Sequence, residues 1–121
     1  MAEGARNAGI YVVALTSIAH SKSVTSRHPR GYKLMDLADV VIDNCGIPGD
    51  AACEIEGTDA RSGSTSTVVG AALMNSLIVS VAEKLQSRGA EIPLFRSANL
   101  DNSTESNQRW MDQYGSRLTY L

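Results

Sequence analysis

Apolar positions in this chain fall into three short runs and one long one. The first, IYVVAL at 10–15, is continuous and rich in β-branched residues. Such a run predicts a strand buried on both faces, as in a parallel sheet. Val40, Val41 and Ile42 predict a second buried strand. Ile92, Pro93, Leu94 and Phe95 predict a third, with Pro93 placing its start at an edge or at the first position. The long run lies within 61–88, RSGSTSTVVGAALMNSLIVSVAEKLQSR, and predicts one helix. Gly89 follows it where a left-handed cap is easiest for glycine. Lys84 and Arg88 sit in its last turns, where positive charge suits the helix dipole.

That helix is apolar on nearly all sides: Val68, Leu73 and Leu77 interleave with Met74, Ile78 and Val81. A helix of this kind is buried on two sides or spans a membrane. Spanning takes about 20 predominantly apolar residues, and Asn75 interrupts this run. A central helix between a sheet and a second subunit is therefore expected, with no membrane partner.

Polar stretches supply the remaining elements. Residues 1–7 predict the last turns of a helix closed by Gly9. Residues 17–31 form a polar loop carrying both histidines, His20 and His28. A short helix follows over 32–38, with Leu34, Leu37 and Ala38 on one face. Residues 45–50 are turn material. AACEIEG at 51–57 predicts a short extended piece with Glu54 and Glu56 on one face and Cys53 and Ile55 on the other. A polar helix over 101–115 is capped near Ser103, with Trp110 and Met111 facing a core. Strand, helix, strand, long helix, strand, helix is the order of an α/β layered domain with a parallel sheet.

Composition narrows the picture. A length of 121 residues predicts a single domain over 1–121. The net charge of −2 carries no nucleic-acid footprint. Aromatics make up only 5%, too few for a base-stacking platform. Cys45 and Cys53 match no zinc spacing and make no disulfide framework, so they read as buried small residues or free thiols. No basic segment leads an apolar core at the N-terminus, as a signal peptide requires, and a cytoplasmic location is expected.

Candidate chemistry gathers at two places. Gly63, Ser64, Thr65, Ser66 and Thr67 open directly into the long helix. One of these hydroxyls would serve as an ordinary N-cap. Alternatively, the loop cradles a phosphate or sugar, since a helix N-terminus favours an anion; four hydroxyls exceed what one cap needs. Thr16 and Ser17 end the first strand, and open α/β sheets bind ligands beyond the carboxyl ends of their strands. A simple turn is the plainer account of that pair. Either histidine, His20 or His28, could act as an acid or base, since histidine is the residue type suited to proton transfer near neutral pH; an exposed loop histidine is the alternative. No carboxylate or cysteine lies near either histidine in the sequence, so no metal is expected.

YVVALTS, HSKSVTSRHP, GYKL, LADVVIDNCGIPGDA, EIEG, GSTSTVVGAAL and SANLD, in this order, resemble the sugar isomerase (SIS) domain. They are most similar to its uncharacterised phosphosugar-binding subfamily. The likeness runs from about residue 1 to about residue 113. It implies a three-layer α/β/α, flavodoxin-like fold. It also implies that this chain corresponds to the C-terminal portion, without the N-terminal strands and their glycine- and serine-rich phosphate loop. Members bind phosphosugars as isomerases, lyases or sensors, usually as dimers or higher homo-oligomers, with no cofactor. By this resemblance Thr16, Ser17 and Gly63 to Thr67 are ligand-binding; the affinity of a helix N-terminus for anions would place the ligand's phosphate at the start of the long helix. Glu54, Glu56 and His20 are the candidate proton-transfer groups for isomerisation. A non-catalytic sensor or oligomerisation module, or an inactive partial domain, is the competing expectation.

Overall fold

The computed structural model of the chain describes residues 1–117. Two compact units are present, Met1–Ile78 and Val79–Leu121.

In the first unit, β1 (Val13–Thr16) and β2 (Val40–Asp43) pair in parallel, with Val13 opposite Val40 and Thr16 opposite Asp43. The ladder continues one residue further, as Asn44 N–H donates to the Thr16 carbonyl at 3.0 Å. Both apolar runs therefore form strands, as expected. They are not buried on both faces. Ala14 is 2% exposed, whereas Val13 and Val40 stand open to solvent. A strand is covered only as far as neighbours cover it, and this sheet has two strands.

The connection between them holds two short helices, with a third before β1. α1 (Ala2–Asn7) is closed by Gly9 at φ +71°. The Arg6 guanidinium of α1 donates to the Leu37 carbonyl at 3.3 Å. α2 (Ile18–Ser23) forms inside the segment expected to be loop. Ser17 creates it by accepting the His20 N–H at 3.0 Å, an N-cap bond to the third helical position. α3 (Leu34–Leu37) is shorter than expected; the Asp36 carboxylate accepts the Lys33 N–H at its start.

A hairpin replaces the single extended piece and the loop expected over 51–67. β3 (Ala51–Glu54) pairs antiparallel with β4 (Arg61–Ser64). RSGS has no apolar alternation, so nothing in its pattern marks a strand. Arg61 holds it by reaching across the hairpin: its guanidinium donates to the Ala51 and Ala52 carbonyls at 3.1 Å each. Gly63 takes φ +77°, and a Cβ there would lie 3.1 Å from the Cys53 sulfur. Cys45 and Cys53 are exposed free thiols.

α4 (Thr65–Ser87) starts directly from β4. Gly70, its only buried residue, faces Leu15 of β1. The helix ends on Gly89 at φ +69°, with Ala90 N–H donating to the Leu85 carbonyl, so the left-handed cap forms as expected. Among the described residues α4 is the one helix long and apolar enough, by length and composition, to cross a membrane. Asn75 does not count against that, because its amide donates to the Ala71 carbonyl within the helix at 2.8 Å.

In the second unit the expected third strand does not form: residues 92–95 join no sheet. Pro93 has no N–H to give a ladder, and no partner strand lies among the described residues of this unit. A side chain does the pairing nearby. The Asn107 amide accepts the Arg96 N–H at 2.8 Å and donates to the Arg96 carbonyl at 2.9 Å. Asn107 belongs to α5 (Ser103–Tyr114), which is followed by a 3-10 turn at Gly115–Arg117. Trp110 of α5 is buried, stacks on Tyr114 and carries the Arg109 guanidinium over its ring.

Candidate functional site

The parallel pairing of β1 and β2 brings their carboxyl ends together, and the start of α4 lies beside them. An open cavity of about 260 Å³ sits there. Leu15, Thr16 and Ser17 line it from β1 and the turn after it, and His20 from α2. Asn44, Gly46, Ile47 and Asp50 contribute from the loop after β2, and Ser66 from α4. Four residues singled out in the sequence thus converge: Thr16, Ser17, His20 and Ser66.

Asp50, which the sequence reading passed over, organises this cavity's wall. Its carboxylate lies at the N-terminus of α4. One oxygen accepts the Ser66 N–H at 2.6 Å and the Thr65 hydroxyl at 3.0 Å. The other accepts the Ser64 and Ser66 hydroxyls. The backbone joins in, as Thr65 N–H donates to the Asp50 carbonyl at 3.0 Å. Hydrogen bonds from the Ser64 hydroxyl and the Ser66 N–H, the two strongest influences, hold the Asp50 carboxyl well below the usual carboxylate range. The helix therefore starts on a carboxylate from another segment, and no hydroxyl of 64–66 acts as its cap acceptor. Thr67 joins at the margin, its hydroxyl 3.4 Å from that of Ser64. No local pattern marks Asp50, because the donors that converge on it lie 14 to 16 residues away in sequence.

The loop 44–50 is shaped around this wall. Asn44 is 6% exposed, and its side-chain oxygen accepts the Gly46 N–H at 2.9 Å. Ser17 donates to the Gly46 carbonyl at 2.5 Å. A Cβ on Gly46 would stand 3.0 Å from the Asn44 oxygen and 3.2 Å from the Thr65 hydroxyl, so only glycine fits without displacement. Nδ1 of His20 accepts the Gly49 N–H at 3.1 Å. A neutral ring bonded in this way carries its own proton on Nε2.

Glu54 and Glu56 lie elsewhere, in a separate hollow of about 400 Å³ at the turn of the hairpin. Glu54 is 83% exposed at its side chain and pairs with Arg61 at 3.2 Å. Neither glutamate lines the cavity of Thr16 and His20. Gly63 lies within β4 against Cys53. His28 is drawn toward Glu3 and Tyr32. Among the described residues no three His, Cys, Asp or Glu side chains gather in a metal-binding group.

The fold is mixed α/β, with this cavity at the carboxyl ends of parallel strands. No family model matches the chain. It is similar to a UPF0309 protein of Shouchella clausii, 39% identical over 121 residues, covering 100% of this chain and 49% of that protein. It is 39% identical over 121 residues to a UPF0309 protein of Oceanobacillus iheyensis, again 49% of that protein. With a UPF0309 protein of Streptomyces coelicolor it shares 42% identity over 120 residues, covering 99% of this chain and 48% of the relative. The chain spans about half the length of the curated relatives it matches.

Proposed function

We propose that this chain is the C-terminal portion of a phosphosugar-binding domain of the sugar isomerase type. In the whole domain its β1–β2 pair belongs to a larger parallel sheet in a three-layer, flavodoxin-like arrangement. The observation that carries the reading is the convergence of Thr16, Ser17, His20 and Ser66 on one cavity at the carboxyl ends of parallel strands, where open α/β sheets take their ligands. Ser64, Thr65 and Thr67 adjoin it through the hydrogen bonds around Asp50, and Gly63 would take part in binding only through its place in β4. His20 is the candidate acid–base group of an isomerase, because it shares that cavity. Glu54 and Glu56 would act only on a ligand that reached the hairpin turn. The protein works in the cytoplasm, without a cofactor.

The test is thermal unfolding of the chain with a panel of aldose and ketose phosphates. A ligand that binds only the folded state at about 100 times its Kd adds about 2.7 kcal/mol. A dose-dependent rise in Tm, lost in Thr16→Val, is the expected result. No rise with any member of the panel overturns the reading.

A second reading, assembly into homo-oligomers through α4 without catalysis, is favoured by one observation. Val68 is 70% exposed, and Met74, Leu77 and Ile78 also face solvent. Exposed apolar patches of this kind mark interaction surfaces. A mass of one chain by light scattering at high concentration would count against it.

A further inference from the structure

The wall of the cavity says which part of a ligand enters it. A carboxylate offers about four acceptor positions. Those of Asp50 take four donors: the Ser66 N–H and the hydroxyls of Thr65, Ser64 and Ser66. The place where an anion would settle on α4 is therefore filled by the protein's own negative group, and the hydroxyls around it have their hydrogens engaged. A second anion there would meet like charge and few free donors.

Other groups on the cavity are free to bind. Asn44 is more than nine-tenths buried, and its oxygen is spent on the Gly46 N–H. Its amide nitrogen bonds to no described residue. No fully buried side-chain polar atom lacks a partner among the described residues, so this nitrogen keeps some accessible surface, and Asn44 lines the cavity. The His20 ring, with Nδ1 engaged by Gly49, has an Nε2–H to donate. The amide has two N–H donors and the ring one, and both groups suit hydroxyl or ring oxygens.

We infer that this cavity holds the uncharged, hydroxyl-bearing part of the ligand through the Asn44 amide and the His20 ring, and that the phosphate does not sit on the N-terminus of α4. This rests on the phosphosugar reading and narrows it: the phosphate is bound by other groups of the whole domain.

Nitrogen–proton correlation spectra of the full chain test it, with inorganic phosphate and then the sugar phosphates as titrants. Inorganic phosphate should leave the Ser66 and Thr67 amides in place, while a sugar phosphate shifts the Asn44 side-chain amide. Asn44→Asp keeps the oxygen that the Gly46 N–H needs and removes the donor. It should weaken sugar phosphate binding by several-fold to about tenfold. Asp50→Asn, checked for fold by its spectrum, should acquire a saturable phosphate shift at Ser66. A saturable phosphate shift at Ser66 in the wild type overturns this inference and leaves the phosphosugar reading standing. So does an Asp50→Asn variant that folds and gains no phosphate binding. If no sugar phosphate moves any cavity resonance, both fail together.

Discussion

The two ends of the β3–β4 hairpin each carry acidic residues, and they could hardly differ more. At the base, Asp50 accepts from three hydroxyls, those of Ser64, Thr65 and Ser66, and from one backbone N–H. At the turn, Glu54 has Arg61 and Glu56 has solvent. Both ends show acid and hydroxyl residues in sequence. Only at the base do chain segments distant in sequence aim donors at one carboxylate, and only there is its protonation shifted. Charge density alone does not build a site; convergence does. The contrast also bears on sugar binding, because the same convergence that starts α4 uses up the donors a phosphate would need.

The largest effect on this comparison should come from Asp50→Ala. It strips the anchor from the first turn of α4 and leaves the donors of 64–66 to water. We expect a fall of several degrees in Tm, with β4 and the start of α4 losing amide-exchange protection first. Unchanged protection at Ser66 would show that the base of the hairpin is no better organised than its turn.

Gly46→Ala comes next. Its new methyl would crowd the Asn44 oxygen and the Thr65 hydroxyl, and overpacking of this kind costs about 1–3 kcal/mol. Chemical denaturation measures it, and a neutral outcome would mean that the loop 44–50 yields freely.

Asp50→Asn separates charge from shape. The folded carboxyl titrates below its unfolded counterpart, so its contribution is complete above the unfolded pKa of about 3.9 and is lost as pH falls through the lower folded value. The stability gap between wild type and Asp50→Asn should be constant from neutrality to about pH 5 and then shrink as the solution is acidified further. A gap that persists unchanged into strong acid would remove the charge from the account.

Least should happen at the turn. Glu54→Gln and Glu56→Gln should each change stability by about 0.5 kcal/mol or less, as exposed substitutions usually do. A larger loss from Glu54→Gln would give its pair with Arg61 a weight that exposed ion pairs seldom have.

Part of this fold is legible from local pattern. The continuous β-branched runs form β1 and β2, the apolar stretch after 64 forms α4, and Gly9 and Gly89 end their helices in the left-handed conformation. Other elements carry no such mark. α2 depends on one Ser17 cap inside a polar loop, and β4 depends on Arg61 reaching across to β3. Residues 92–95 look like a strand and are not one, since a strand exists only with a partner. The candidate site divides in the same way. Thr16, Ser17, His20 and Ser66 stand out by residue type and position, whereas Asn44 and Asp50 become visible only when their partners are known.

By itself, the sequence determined where β1, β2 and α4 form and where Gly9 and Gly89 end their helices, because hydrophobic period and capping chemistry act over a few residues. Tertiary structure alone decided which polar groups meet. Parallel pairing of β1 with β2 puts Thr16 opposite Asp43 and so places Asn44 beside His20's helix, and the hairpin returns Ser64 to Asp50 across 14 residues. Hydrogen bonds between distant segments depend on register and crossing, which no local pattern encodes. It is register that put a carboxylate where the local signal announced room for a phosphate.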